Sequence, residues 1–441
     1  MLYFLKGENM KKIKLCLVFL LLCGCGKEVV YDDRVKPAGS DIKLLVGSDL
    51  HYIAPQLKEG SELFEEVTMR SDGKNMIYIE EITDSFVEEV ITVKPDAILL
   101  TGDITYNGEK ESHIELAKKL TKIKDAGIKV LVINGNHDIN NFGSYKFLKN
   151  NVEKTDSISG KEFKEIYQDF GYSDAILTDR NSLSYVSAIS EDLWVFMIDT
   201  VPFELNSEMI PAYSMGEIKP QTIKWVEESL KQAKDKGAKV MFGMHHNLFY
   251  HSPLFEHGYR LEDNEPLLNL MKNYDVPLAV SGHIHLQNII KDEETQIVDI
   301  ASGALSVNAH ALGHIEFNPT KGFVYEAKPI DVEGWARNEG LRDEKLLTFS
   351  DFSRKFYIMA AYNRELNRID EGDEEALLQA QVMSLLNGYY FSGTVNDEVR
   401  KQYLEDEVIQ SILKDSDSRR AIYINSILLD KGYNDLKISI E

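Results

Sequence analysis

Three shortages narrow what this chain can do. Cysteine is the first: Cys16, Cys23 and Cys25 are its only 3 in 441 residues, so beyond residue 25 no thiol is available for a disulfide, a nucleophile or a metal. Chemistry in the body of the chain must come from His, Asp, Asn and Glu. Positive charge is the second, with Lys+Arg 49 against Asp+Glu 72 and a formal net charge of -23. Most of such a surface repels nucleic-acid polymers and anionic membranes, and an anionic substrate needs a local positive centre. Long apolar runs are the third. Residues 15–22 are apolar, but they fall far short of the roughly 20 residues that a membrane-spanning helix needs.

What that run resembles instead is a signal peptide. Lys11, Lys12 and Lys14 precede it and Cys23-Gly24-Cys25-Gly26 follows. Leu22-Cys23-Gly24-Cys25 is similar to a bacterial lipobox, in which Cys25 would be lipidated and become the mature N-terminus; an ordinary cleaved secretory leader is the alternative. Residues 1–9 sit oddly before such a leader, so translation is expected to start at Met10. The expected address is extracytoplasmic, as a bacterial cell-surface lipoprotein held to the membrane by its N-terminal lipid, or else secreted.

The remaining length, with 43% hydrophobic residues, can bury a large core. Residues 26–40 are polar, with Pro37 and Gly39, and read as a tether. Short apolar runs of strand type follow at 42–47, 97–100, 129–133, 193–198, 239–244 and 277–280. Helical patterns at 75–93, 109–126 and 220–236 separate several of them, which predicts βαβ units and buried sheets. Runs at 297–300, 314–317 and 323–325 predict strands closing a second sheet. Beyond about residue 345 the apolar spacing becomes helical, through Phe352, Phe356, Met359, Ala360, Leu377, Ala380, Leu385, Val408 and Ile409. The expectation is a domain over 41–345 and a small helical C-terminal domain over 346–441. No internal repeat or low-complexity segment stands out.

Polar clusters end several of these strand-like runs, where loops of an α/β fold converge on one rim. Asp49 and His51 follow the first run two residues apart; in extended backbone both side chains would share a face and reach one ion. Asp103 follows the second run, and its carboxylate can bridge two cations, with Gly102 allowing a close backbone approach. Asn134-Gly135-Asn136-His137-Asp138 ends the third: Asn136 offers a neutral oxygen ligand and His137 a proton donor. His245 and His246 end another, one of them a ligand and the other a supporting or structural residue. His283 and His285 repeat the two-apart logic with imidazoles. Singly, each cluster has a plain structural explanation, since Asp-x-His occurs by chance and Gly-Asp is commonly a turn. Together, in a chain with His 11, they are hard to ascribe to independent accidents.

These five segments, in this order, resemble the signature of the calcineurin-like metallophosphoesterases: D-x-H, G-D, G-N-H-D/E, H and G-H-x-H. The resemblance spans about residues 41–330 and implies a four-layer α/β sandwich of two mixed sheets flanked by helices. It implies two metal positions, one held by Asp49, His51, Asp103 and His285, the other by Asp103, Asn136, His245 and His283, with Asp103 as the bridge. The choice of His245 over His246 rests on motif order alone, since Asn247-Leu248 stand where many relatives have proline. The resemblance also gives His137 the role of acid to the leaving group, with Asp138 orienting its imidazole. Mixed N/O donors suit Mn, Fe, Zn or Co.

Tyr106 and His113, just after Asp103, and the aromatic-rich loop 248–260 are expected to rim the pocket, although His113, His251 and His257 read more readily as exposed helix or loop histidines. Residues 105–113, the lipoprotein start and the helical extension are together similar to a bacterial subgroup related to class III cyclic-nucleotide phosphodiesterases. That implies hydrolysis of a small phosphodiester such as a cyclic nucleotide. Cleavage of envelope glycerophosphodiesters or of a phosphomonoester is the alternative, and a non-catalytic surface-binding lipoprotein the remote one. The C-terminal region could cap the site, join two copies or stabilise the fold; Tyr389-Tyr390-Phe391 reads as core within it.

Overall fold

In the computed structural model the six strand-type runs all become strands, because each is short, apolar and bounded by turn or polar residues. In chain order the strands are β1 (Ile42–Gly47), β2 (Ala97–Thr101), β3 (Lys129–Ile133), β4 (Tyr145–Phe147), β5 (Val152–Lys154), β6 (Leu177–Thr178), β7 (Tyr185–Ser190), β8 (Leu193–Ile198), β9 (Lys239–Met244), β10 (Leu278–Ser281), β11 (Asn288–Lys291), β12 (Val298–Ala301), β13 (Ala311–Asn318), β14 (Gly322–Pro329) and β15 (Lys437–Ile440). The structure describes residues 29–253, 255, 257–367, 369–370, 372–429 and 434–441. The leader, the lipobox at Cys25 and the start at Met10 lie outside the described residues. One unit spans Tyr31–Glu441. No helix among the described residues is long and apolar enough to cross a membrane.

A 6-stranded sheet has the order β15-β14-β13-β1-β2-β3 and a 7-stranded sheet the order β11-β12-β10-β9-β8-β7-β6. Both are mixed. β1, β2 and β3 run parallel, as do β8, β9, β10 and β12, while β13, β14 and β15 in the first sheet and β11, β7 and β6 in the second pair antiparallel with their neighbours. Strands β2 and β3 are buried throughout, which is why they read as continuous apolar runs and do not alternate. Sheet faces sheet: the Tyr185 hydroxyl on β7 donates to the Val132 carbonyl on β3 at 3.1 Å.

Helices α1 (Glu62–Met69), α2 (Ile79–Val93), α3 (Lys110–Asp125), α4 (Gly160–Ile166), α5 (Pro220–Lys236) and α6 (Glu265–Asn273) complete the sandwich. α3 packs on β3 and α2 on α3 outside the first sheet, while α5 packs on β9 and α6 on α5 outside the second. α5 shows how locally the sequence sets an element: Pro220 starts it, and Gly237 at φ 72 ends it in the left-handed conformation that a Cβ disfavours. The four-layer expectation is met.

Three expectations change. The runs after residue 296 do not close one sheet: β12 joins the second, and β13 and β14 join the first beside β1. Between them the chain crosses from one sheet to the other, with Ser302 N–H bonded to the Ser281 carbonyl and Leu305 N–H to the Ser48 carbonyl. Residues read as a free tether are held from Tyr31 onward, where Arg34 pairs with Asp174 and the Gly39 N–H bonds Asp192 at 2.6 Å. Helices also begin before residue 346. Two do so, α7 (Val332–Asn338) and α8 (Glu344–Leu347), ahead of α9 (Phe349–Leu366), α10 (Glu374–Tyr390), α11 (Asp397–Leu404), α12 (Glu407–Leu413) and α13 (Arg419–Leu428).

After α13 the chain returns as β15 and pairs with β14 in the first sheet. The helices share a buried cluster with Ile284, Leu286 and Ala301, whose other members include Leu386, Tyr390, Ile409 and Ile424. Each such large apolar side chain contributes about 1.5–3 kcal/mol on burial. Tyr390 is core, as read, and its hydroxyl donates to the His251 carbonyl at 3.1 Å.

Candidate metal centre

Because β1, β2 and β3 are parallel, their C-terminal ends share one rim, and β9 and β10 bring theirs to it from the second sheet. The turns that leave β1, β2 and β10 are strained. Asp49 (φ 51), His51 (φ 49), Asp103 (φ 48), His283 (φ 69) and His285 (φ 56) all adopt the left-handed region. Non-glycine residues there cost of order 1–3 kcal/mol each and persist where the surroundings over-determine them. The extended D-x-H geometry expected for Asp49 and His51 is therefore not what brings them together. β1 ends at Gly47, and the turn is carried onward by Asp49 N–H to the Gly102 carbonyl and His51 N–H to the Asp103 carbonyl.

One ligand atom each from Asp49, His51, Asp103 and His285 lie within 4.8 Å of one another, and the same holds for Asp103, His245 and His283. Asp103 belongs to both groups, and its two oxygens face different partners: Oδ2 lies 3.7 Å from His51 Nε2 and Oδ1 lies 3.5 Å from His245 Nε2. Asn136 Oδ1 joins the second group at 3.0 Å from His245 Nε2. His51 Nε2 and His285 Nε2 are 3.1 Å apart, with Asp49 Oδ1 3.4 Å from the latter. The arrangement is buried, with Asp49, His51 and His245 each at 0% exposure.

The backbone is shaped to admit this crowding. A Cβ on Gly102 would lie 2.6 Å from His245 Nδ1, and Gly282 and Gly135 leave no room for one beside Asp49 and Asp103. Outer partners set the imidazoles. A Thr101 carbonyl accepts from His245 Nδ1 at 2.9 Å, and a Gly258 carbonyl from His283 Nε2 at 2.7 Å. Each fixes a proton on the outer nitrogen and turns the other lone pair inward.

Electrostatics follow from burial and from neighbours. Burial, Asp49 and Asp138 together push the Asp103 carboxyl well above its ordinary range. Burial would raise Asp49 too, but the hydrogen bond and charge of His285 outweigh it and hold it low. Burial likewise opposes protonation of His285, yet Asp49 and Asp72 prevail and push it up to about 9. Burial lowers His51 and His245, and takes His283 to about 3. Two buried carboxylates, four imidazoles and an amide oxygen converging within a few ångströms are a donor set suited to divalent ions with mixed N/O preference.

The structure separates the supporting residues. His246 stands behind the cluster, with Nδ1 2.8 Å from Thr200 Oγ1 and Nε2 3.1 Å from the Ser214 carbonyl; His245 is the one that faces the other donors. His137 is half-buried, its ring 5.0 Å from that of His51. Asp138 does not orient that imidazole. Its carboxylate accepts from the N–H groups of Gly135, Ile104 and Thr105 and from Thr105 Oγ1, and so ties the second motif's loop to the third's. His137 Nδ1 instead meets the Tyr106 carbonyl and Asn107 Oδ1, both at 2.9 Å.

Tyr106 packs its ring against Phe64 and Phe147. His113 is neither exposed nor on the rim. It is buried between the Tyr167 hydroxyl and the Asp138 carbonyl, each at 2.9 Å. His251 is also buried, against Asn288 and Asp299. The loop after β9 does reach the site, where the Tyr259 ring sits 5.4 Å from that of His283. One contributor went unread: Asp72, in the turn Ser71-Asp72-Gly73-Lys74, places Oδ2 3.3 Å from His285 Nδ1. Its sequence reads as an ordinary polar turn, so no signal marks it.

Comparison with known proteins agrees with this geometry. Residues 42–287 match the family profile described as calcineurin-like phosphoesterase, and residues 331–434 that of the C-terminal domain of cyclic nucleotide phosphodiesterase. The chain is 26% identical over 256 residues to the probable glycerophosphodiester phosphodiesterase GpdQ of Arcobacter nitrofigilis, covering 56% of this chain and 76% of the relative. It is 41% identical over 64 residues to a probable cyclic nucleotide phosphodiesterase of Ruthia magnifica subsp. Calyptogena magnifica, covering 14% of this chain and 26% of the relative. A solved dimetal phosphatase from Danio rerio aligns with 65% of this chain and 96% of its own at 12% identity and a TM-score of 0.47. With that profile spanning more than half of its residues and the donor cluster lying at the rim of the matched fold, the chain belongs to the calcineurin-like phosphoesterases.

Proposed function

We propose that the protein hydrolyses a small phosphodiester, with cyclic nucleotides as the favoured class. The observation that carries this reading is the convergence of six other donors around Asp103, whose two oxygens face the two halves of the cluster. Asp49, His51, Asp103 and His285 would hold one ion and Asp103, Asn136, His245 and His283 the other. Bound there, two divalent ions supply Lewis acidity, lowering the pKa of a water and neutralising charge on the phosphoryl oxygens.

The chain's own groups do the rest. Two ligand carboxylates leave the site net positive when loaded, which draws a phosphate to a protein of formal net charge -23. His137 would protonate the departing oxygen through Nε2, because the Tyr106 carbonyl and Asn107 Oδ1 both accept at Nδ1. Burial lowers the pKa of this imidazole to about 3; the charge of a bound phosphate would favour its imidazolium form. Proton donation matters most for a sugar or glycerol alkoxide, a poor leaving group. The packing and hydrogen bonds that keep five of the donors in the left-handed region would hold them in place before any substrate arrives.

The match of residues 331–434 supports a nucleotide over other diesters. The longer likeness to a probable glycerophosphodiester phosphodiesterase supports the alternative, an envelope glycerophosphodiester. Purified, metal-reconstituted protein assayed on bis-p-nitrophenyl phosphate, p-nitrophenyl phosphate, cyclic AMP and glycerophosphocholine separates the readings. A strong preference for the monoester would overturn the diester class. We also propose, from the basic and apolar leader-like run that ends at Cys25, that the protein lies outside the cytoplasm, anchored by lipid on Cys25. Intact mass of the membrane fraction from cells expressing wild type and Cys25→Ser tests that: an unmodified, soluble wild type would refute it.

A further inference from the structure

Three of the four cluster imidazoles have an outer partner among the described residues, and one partner differs in kind. His245 and His283 each meet a backbone carbonyl, whereas His285 meets a carboxylate, Asp72, at 3.3 Å on Nδ1. On its other face, His285 Nε2 looks into the cluster toward Asp49 and His51. A carboxylate on the outer nitrogen both orients a ligand imidazole and increases its basicity.

Asp72 is itself held. Lys74 Nζ lies 3.4 Å from its Oδ2, on a side chain only 11% exposed. The turn is stitched down by the Asn75 N–H, which bonds the Ser306 carbonyl at 2.7 Å, while Ser306 Oγ bonds the Asp49 carbonyl at 2.7 Å. The same short segment thus secures Asp72 on one side and a cluster carboxylate on the other. From above, α9 closes on the turn. The Tyr357 ring, 1% exposed, lies so close that a Cβ on Gly73 would come within 2.5 Å of it. Arg364, seven residues along the helix, acts electrostatically on Asp72.

We propose that Asp72 is a positioning residue for the Asp49/His51/Asp103/His285 metal position, and that α9, through Tyr357 seated on Gly73, holds it there. Metal affinity at one of the two positions then depends on the C-terminal region. The inference rests on the metal reading above.

Equilibrium dialysis against buffered Mn(II), with ions counted per chain, tests it on wild type, Asp72→Leu, Asp72→Asn and Tyr357→Leu. Wild type should take up two ions. Asp72→Leu should weaken one of them by about 10–100-fold and leave the other within twofold. Asp72→Asn, whose amide oxygen still accepts from Nδ1, should lose less, and Tyr357→Leu should weaken the same ion. With Co(II) in place of Mn(II), only part of the visible absorption should change, while melting in chelator should match wild type. Retention of both ions by Asp72→Leu at wild-type affinity overturns the inference alone. Equal weakening of both ions with a lowered melting point in chelator also overturns it, because Asp72 would then be merely structural. A wild type that takes up no ion overturns the metal reading and this inference together.

Discussion

Gly102→Ala tests whether the crowded turns serve the metal site or only the fold. Gly102 sits at φ +96, where an L side chain costs about 1–2 kcal/mol. Its new Cβ would also lie 2.6 Å from His245 Nδ1, 2.7 Å from Gly135 N and 2.8 Å from Gly135 Cα. The Gly135 backbone cannot give easily, since its N–H is bonded to Asp138 Oδ2 at 2.8 Å inside the network that joins the two loops. The His245 ring must therefore move. Restoring even a tight 3.0 Å contact takes about 0.4 Å, whereas metal–donor distances tolerate only about ±0.2 Å. We expect ion uptake at the Asn136/His245/His283 position to weaken by at least the roughly 10–100-fold that follows loss of an outer partner.

Gly127→Ala is the control. It has a similar φ of +86 and nothing within 4 Å of the added Cβ, so it carries the backbone cost alone. Ion content at graded free Mn(II), together with urea midpoints in chelator, separates the two effects. If Gly102→Ala retains both ions with affinities like those of Gly127→Ala, the steric reasoning fails.

His137→Ala should keep both ions and lose most turnover on alkyl diesters while losing much less on nitrophenyl diesters, whose leaving group needs no proton; equal losses would refute the acid role. Truncation after residue 345 removes β15 from its sheet and uncovers Ile284 and Leu286. At about 1.5–3 kcal/mol per large apolar residue, that loss approaches the whole 5–15 kcal/mol of a typical domain, so the fragment should aggregate or melt far lower. A soluble fragment with an unchanged midpoint would make 346–441 an independent domain. Glu109 is pushed up to about 7 by burial, from an ordinary 4.5, so the folded state favours its neutral form. Its contribution is greatest below the unfolded pKa and falls as pH rises toward 7, by about 2–3 kcal/mol. Urea unfolding at pH 4.5 and pH 8 should show a shallower loss for Glu109→Gln, and parallel profiles would refute the shift.

Strand positions and the donors were legible for the same reason. A buried strand must be apolar along its length, so a polar residue at its end stands out, and only a few residue types can donate to a metal. Asp103, Asn136 and the pair His245-His246 could be picked out on those terms, although only the five clusters together argued for a site and only motif order chose His245 over His246. The backbone that presents them could not: Asp49 and His51 converge through left-handed turns, a conformation that their spacing does not encode. Likewise β13 and β14 carry ordinary strand patterns, and only the crossing at 302–310 assigns them to the first sheet.

The groups that hold the donors are legible only when they are side chains of a conspicuous kind. An outer partner for an imidazole needs one lone pair, and any peptide carbonyl supplies it, as Thr101 and Gly258 do. No sequence signature can mark such a partner, and no substitution readily removes it. Asp138 illustrates the converse error: a carboxylate adjacent to His137 in sequence suggested a partner, yet its oxygens are consumed by the N–H groups of neighbouring loops. Asp72 is different again, a side-chain acceptor far from the motifs, brought to His285 by the fold and overlaid by a helix some 280 residues later in the chain. Chains that share all seven donors have the same first neighbours for their ions and hence little freedom there. Differences in metal affinity among them should then arise where a side chain sets the imidazole, at positions equivalent to 72, and where a distant element such as Tyr357 sets that side chain.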